Sequence, residues 1–213
     1  MGITLRSTAL KVVALLLVAG LPACKGVKTP RAEEPLVETP QRIAPTTPAI
    51  PTPADGNPSQ AAGIAWTVPD GWNVEPPRSM RIATYRIHAI AGDPEDAECA
   101  IYFFGAGQGG TVDANLDRWA HQFRAPNGET APFKLERRVI RGLTVSTITA
   151  TGTYLGGGGM MAQEEVNKPN FRMRGAIAEA PAGLVFFKLV GPLNTVAAAE
   201  SGFNSMLNSL HPQ

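Results

Sequence analysis

From residue 61 onward, apolar and polar positions alternate in short blocks separated by glycine, proline, asparagine and aspartate. This is the pattern of strands joined by turns. Residues 64–68 read as a short strand that Pro69-Asp70-Gly71 turns into Trp72. In 81-RIATYRIHAI-90, Ala83, Tyr85, Ile87 and Ala89 share one face and Thr84, Arg86 and His88 the other, which predicts a half-buried strand. A turn at Gly92-Asp93-Pro94 leads to 99-CAIYFF-104, the most apolar strand. The period then changes. Leu116, Trp119, Ala120 and Phe123 form the buried stripe of a helix capped by Thr111 or Asp113, and Asn127-Gly128 breaks the chain after it. Residues 133–140 and 143–155, joined by Arg141-Gly142, predict a hairpin with one solvated face carrying Lys134, Glu136 and Arg138. Residues 156–170 read as a long loop. A second hairpin, 172–180 and 184–191, closes through Pro181-Ala182-Gly183. Pro192 stops it, and Asn194 or Thr195 caps a final helix that buries Val196, Ala199, Phe203, Met206, Leu207 and Leu210. Hairpins in series give an antiparallel sheet, and amphipathic helices must cover it. The expected fold is α+β, with a sheet of about six to seven strands under two main helices.

The glycines at 105, 107 and 110, in 105-GAGQGG-110, spell G-x-G-x-x-G between a strand and a helix. A dinucleotide site also needs a parallel second strand and an acid near its end to bind the ribose. Here the following strand alternates polar and apolar, unlike a parallel central strand. The nearest acids, Glu129 and Glu136, lie beside a chain break and inside that strand. The loop, with Gly105, Gly107, Gly109 and Gly110, is therefore read as a sheet-to-helix connection and a second candidate partner surface, with no dinucleotide and no other cofactor expected.

The first 60 residues have a different character. Arg6 and Lys11 precede the apolar run 12-VVALLLVAGLPA-23, which is too short to span a bilayer and of signal-peptide length. It ends in 21-LPAC-24, which resembles the bacterial lipobox. The resemblance implies cleavage before Cys24, residues 1–23 being the signal peptide, and lipidation of that cysteine, a membrane anchor of several acyl chains. In a Gram-negative cell, Lys25 rather than aspartate after the cysteine implies sorting to the periplasmic face of the outer membrane. Residues 24–60 carry eight prolines and few large apolar side chains, which predicts an extended tether ahead of a single domain at 61–213. Cleavage takes Arg6 and Lys11 with it and leaves 17 basic against 18 acidic residues, a net charge of −1. That balance supplies no electrostatic footprint for nucleic acid. With Cys24 lipidated, Cys99 has no intramolecular partner, so packing must hold the domain.

Three groups of residues resemble a family. They are Trp66, Pro69, Gly71 and Trp72; Asn115, Arg118, Trp119, Gln122 and Phe123; and 186-FFKLVGPLNTV-196 with Phe203, Leu207, Ser209 and Leu210. Together they are similar to uncharacterised secreted bacterial proteins, and the order of elements resembles the PsbP-like α-β-α sandwich. What this implies is a fold over residues 64–210, since the motifs are structural and the fold hosts no common chemistry.

Catalytic signals are sparse. His88, His121 and His211 are far apart and none has a second ligand at metal spacing, so no metal site is expected. No serine sits in G-x-S-x-G. A hydrolase would have to use Glu164 or Glu165 with His121, and a small-ligand carrier would need a sizeable cavity. In 155-LGGGGMMAQEEVNKPNF-171, Gly156, Gly157, Gly158, Gly159, Met160 and Met161 predict an adaptable apolar surface suited to a partner. The sequence is read as a lipid-anchored, extracytoplasmic, non-catalytic domain that binds a protein or another envelope component.

Overall fold

Two tight turns set the frame of the sheet. Arg141 and Gly142 both adopt positive φ, 47° and 86°, between the paired residues Ile140 and Leu143. A two-residue turn with both central residues left-handed matches the twist of the strands it joins. Pro181-Ala182 makes the corresponding connection between Ala180 and Gly183. Both are where the turn residues predict them.

The computed structural model describes residues 59–156 and 166–213. In chain order the elements are β1 Gln60–Ala61, β2 Ile64–Ala65, β3 Asn73–Val74, β4 Ala83–Ile87, β5 Ala97–Phe103, α1 Val112–Ala120 and β6 Phe123–Arg124. They continue with β7 Phe133–Ile140, β8 Leu143–Gly156, β9 Val166–Ala180, β10 Gly183–Pro192, α2 Leu193–Ala198, α3 Glu200–Asn208 and β11 His211–Pro212. The main sheet runs β3-β4-β5-β10-β9-β8, with β6 and β7 side by side along the outer edge of β8. Every pairing in it is antiparallel. A small sheet, β1-β2-β11, brings the last residues back to the start of the domain.

The α+β architecture and antiparallel pairing agree with the sequence pattern, and four details differ. The main sheet has eight strands rather than six or seven, because β3 and β6 are two residues long and show no periodicity. The long loop is shorter than expected. Asn167 and Lys168 pair with Leu155 and Tyr154 across a bulge at Gly152–Tyr154, so β9 already begins at Val166. The closing helix is two helices meeting at Ala199. Its first residues are not self-capped: Pro192 starts α2, and Asn194 and Thr195 already lie inside it. The cap comes from the turn before β5. The Asp93 carboxylate accepts from the Thr195 backbone N–H at 2.7 Å, the Thr195 hydroxyl at 2.6 Å and the Asn194 amide at 3.2 Å. The Thr195 hydroxyl first, with the two N–H donors, holds the Asp93 carboxyl below its usual range.

Both faces of the sheet are apolar near its centre. α2 and α3 cover one, packing Val196, Phe203, Met206 and Leu207 against Tyr85, Cys99, Ile101, Phe187 and Leu189. Burial raises the Cys99 thiol pKa, as expected of an inert packed cysteine. Among the described residues, the other face carries α1 alone. Thr111 caps it, its hydroxyl accepting from the Ala114 N–H at 3.2 Å, and Leu116, Trp119 and Ala120 meet Ile148, Met173, Ile177 and Phe186. α1 leaves β7 uncovered, so that strand is solvated on both faces and not on one: Phe133, Leu135 and Val139 are 47%, 50% and 71% exposed.

Trp119 is seated in a depression at Gly175. A Cβ there would stand 2.6 Å from the indole and 2.8 Å from Ile148. Gly175→Ala is expected to lower unfolding stability by about 1–3 kcal/mol through overpacking. Urea titration followed by tryptophan fluorescence checks this, and an unchanged midpoint would refute the seat.

Candidate functional site

Strand alternation places a lysine among the apolar residues of β10. Phe186, Lys188 and Val190 point to the α1 face, and Lys188 lies opposite Ala100 of β5. A small neighbour leaves room above the strand, and α1 does not reach it. The result is a groove of about 420 Å³ floored by Ala100, Tyr102, Lys188 and Val190. Tyr154 from the end of β8 and Phe171 from β9 form an aromatic wall, their rings 6.2 Å apart and nearly parallel at 7°. A second depression of about 490 Å³ continues past Glu95, Lys168 and Phe171 toward Asp93 and Asn194.

The cations of the groove differ in their partners. Arg81 pairs with Glu98 at 2.7 Å, Arg86 with Glu75 at 2.7 Å, and Lys168 with Glu95. Among the described residues, Lys188 has no carboxylate within ion-pair distance. Its Nζ donates to Gln122 Oε1 at 2.6 Å, lies 3.5 Å from the Tyr154 hydroxyl, and stands 5.5 Å from the centre of that ring. Burial lowers its pKa to about 8, with Arg118 and Arg81 adding repulsion. Burial also raises the phenols of Tyr102 and Tyr154, which therefore remain protonated donors. Gln122 is held on both sides. Its backbone N–H donates to Trp119 and its carbonyl accepts from Leu155, which fixes the side chain between α1 and β8. The arrangement can orient a ligand bearing an acceptor or an anion against an aromatic wall.

The residues singled out in the sequence lie elsewhere. Gly105, Gly107, Gly109 and Gly110 all have positive φ and form a loop near the β9–β10 turn, outside the groove. Their strand, β5, lies between β4 and β10, both antiparallel to it, so the loop does not open a parallel strand-helix-strand unit. The buried Asn115 amide donates to the carbonyls of Gly109 and Thr111, each at 2.7 Å, and so ties the loop to α1. Gly156 ends β8 against the Tyr154 ring. Gly157, Gly158, Gly159, Met160, Met161, Glu164, Glu165 and Cys24 lie outside the described residues, as do the signal segment and most of the proline-rich segment. His121 is exposed at the C-cap of α1, and its Nδ1 is 2.8 Å from the Asp117 carbonyl oxygen; His88 meets Asn73 and Asp96. Among the described residues, no three His, Cys, Asp or Glu side chains are grouped to hold a metal, and no helix is long and apolar enough to cross a membrane.

Lys188, Gln122 and Tyr154 were missed. The available signal was a lone lysine inside 184-LVFFKLVG-191, on the same face as Leu184 and Phe186. A charge at an apolar position of a central strand needs a partner or a use.

The depressed lysine fixes a sign. An amine whose folded pKa lies below its unfolded value binds fewer protons in the folded state. Folding therefore bears a penalty below about pH 8, and the penalty is lifted as pH rises toward about 10.4. Stability should rise over that window relative to Lys188→Met. Urea midpoints of both proteins at a series of alkaline pH values check this, and parallel curves would refute the assignment.

No protein-family model matches this chain, and no curated protein matches it. Two solved structures are similar to it in backbone path. A Pseudomonas aeruginosa protein of unknown function has TM-score 0.40 and 13% identity, over 67% of this chain and 97% of its own. The cyanobacterial PsbP protein of Synechocystis has TM-score 0.45 and 12% identity, over 76% of this chain and 90% of its own.

Proposed function

We propose that this chain is a lipid-anchored, extracytoplasmic, non-catalytic domain that captures a small anionic ligand, carried on an apolar or aromatic body, in the Lys188 groove. One observation carries the ligand reading: a half-buried ammonium, under an aromatic wall, that no carboxylate neutralises among the described residues while Arg81, Arg86 and Lys168 are all paired. An unpaired charge removed from water is costly, and an anion entering the groove relieves that cost. The ligand body stacks on Tyr154 and Phe171, and its acidic group meets Lys188 with the Tyr154 hydroxyl as a second donor. The anchor rests on 21-LPAC-24 and the spacer on the eight prolines after it, which together hold the domain off a membrane surface.

Two experiments test the two halves. Benzoate serves as the probe of the groove. It should raise the melting temperature of the wild type in a concentration-dependent way, by the mass action of a ligand that binds only the folded state. Lys188→Met should abolish that rise, and an equal rise in the variant would overturn the site. Metabolic labelling with an alkyne fatty acid should mark the wild type and spare Cys24→Ser; label that persists in the variant would overturn the anchor.

A further inference from the structure

The described part of the chain contains three lysines, and they differ in a way that bears on chemistry. Lys134 is paired with Glu136 at 2.6 Å on the exposed β7, and Lys168 is paired with Glu95 at the groove rim. Each of these two amines is engaged by a carboxylate. Among the described residues, Lys188 has no such partner. One of its N–H groups is committed to Gln122 Oε1, which orients the nitrogen, and the Tyr154 hydroxyl lies 3.5 Å away. The groove above is open and large enough for a small molecule.

We propose that Lys188 is a nucleophilic amine that condenses reversibly with the carbonyl group of a small oxo acid bound in the groove and holds it there as an imine. This rests on the groove being the ligand site, and it adds a covalent bond to that reading. The Nζ lone pair attacks the carbonyl carbon, and the C=O π pair moves onto oxygen. That oxygen takes up a proton as nitrogen gives one up, which forms a carbinolamine. The nitrogen then gives up its second proton, the hydroxyl leaves with it as water, and the nitrogen lone pair closes the C=N bond. The sum is amine plus carbonyl giving imine plus water, with no change of oxidation state. Tyr154 is within reach of the nitrogen and remains protonated, so its hydroxyl can pass the proton from nitrogen to the departing oxygen. Gln122 is a positioning residue. Arg118 of α1 and Arg81 ahead of β4 repel the charged amine and Glu98 of β5 favours it, while Glu75, Arg86, Glu95, Asp96, Tyr102, Tyr154 and Lys168 also line the groove. The two arginines favour the free amine and attract the carboxylate of the ligand. Burial and this field bring the amine to about 8, so about a tenth of it is free at pH 7, against less than about one part in a thousand for an ordinary lysine.

The test is reductive trapping on the full-length protein in detergent, with glyoxylate as the probe, cyanoborohydride to reduce any imine, and peptide mass spectrometry to read each lysine. Lys188 should be modified about tenfold or more faster than Lys134 at neutral pH. Tyr154→Phe should slow modification of Lys188 severalfold and leave Lys134 unchanged. Urea-unfolded protein should show no preference. Modification of Lys134 as fast as Lys188 in the folded protein would overturn the covalent proposal. If benzoate still stabilised the protein in that case, the groove reading would survive alone. Trapping of butanal as efficiently as glyoxylate, with no stabilisation by benzoate, would overturn the acid part of the ligand and the anion reading with it.

Discussion

A nine-residue helix cannot cover one face of an eight-stranded sheet, and the rest of the molecule follows from that mismatch. α1 is about 13 Å long at 1.5 Å per residue. The path from β3 to the outer edge of β8 is about 25 Å or more wide at 4.8 Å per strand. On the opposite face α2 and α3 run in tandem and the core there is continuous. On the α1 face the helix is placed over β8, β9 and β10, where Ile148, Met173, Ile177 and Phe186 would otherwise meet water. Its hold depends on Trp119 sinking into the sheet, and the absence of a side chain at Gly175 permits that depth.

The remainder of that face must be compatible with water, and its composition reflects this. β7 carries charges on one side and stays exposed on both, which also blunts an edge that would otherwise invite pairing. Over β4 and β5 the residues are Arg86, Glu98 and Tyr102, with Arg81 and Glu75 beside them, arranged in ion pairs at the surface. Such pairs contribute little to stability. Their effect here is to leave the groove cations satisfied, and this makes Lys188 distinct. It sits at the boundary between the apolar patch under α1 and the charged surface over β5, close enough to the first to be desolvated and too far from the second to be paired.

Much of the frame was legible. Arg141-Gly142 and Pro181-Ala182 are local turn signals, and Leu116, Trp119 and Ala120 of the expected helical stripe follow a local period, so each could be placed from a few neighbouring residues, whereas Phe123, expected in that stripe, lies in β6. The misses share a cause: each depends on a contact distant in sequence. β6 is a strand only because Tyr154 lies beside Phe123. The cap of α2 is Asp93, about a hundred residues earlier. The start of β9 depends on the bulge in β8. The groove is the extreme case, since Gln122 comes from the link between α1 and β6, Tyr154 from β8 and Lys188 from β10, and no spacing joins them. Gln122 and Lys188 did fall within the motifs that resemble uncharacterised secreted bacterial proteins, yet a motif read as packing does not say which of its polar residues meet.

The glycine loop, which has the spelling of a cofactor fingerprint, belongs to the same chain of constraints. A Cβ at Gly109 would stand 3.0 Å from Phe104 and 3.2 Å from Phe186, and the residue's φ of 89° is one that side chains resist. The loop therefore packs its backbone against two aromatic rings. Asn115 then fixes the first turn of α1 to that backbone through two carbonyls. From that turn the helix runs to Trp119, seated over Gly175, and ends at Ala120, two residues before Gln122, whose side-chain oxygen accepts from Lys188 Nζ. The glycines thus act at a distance on Lys188, the one amine of the groove without an ion-pair partner among the described residues, by setting where α1 begins and hence where Gln122 stands.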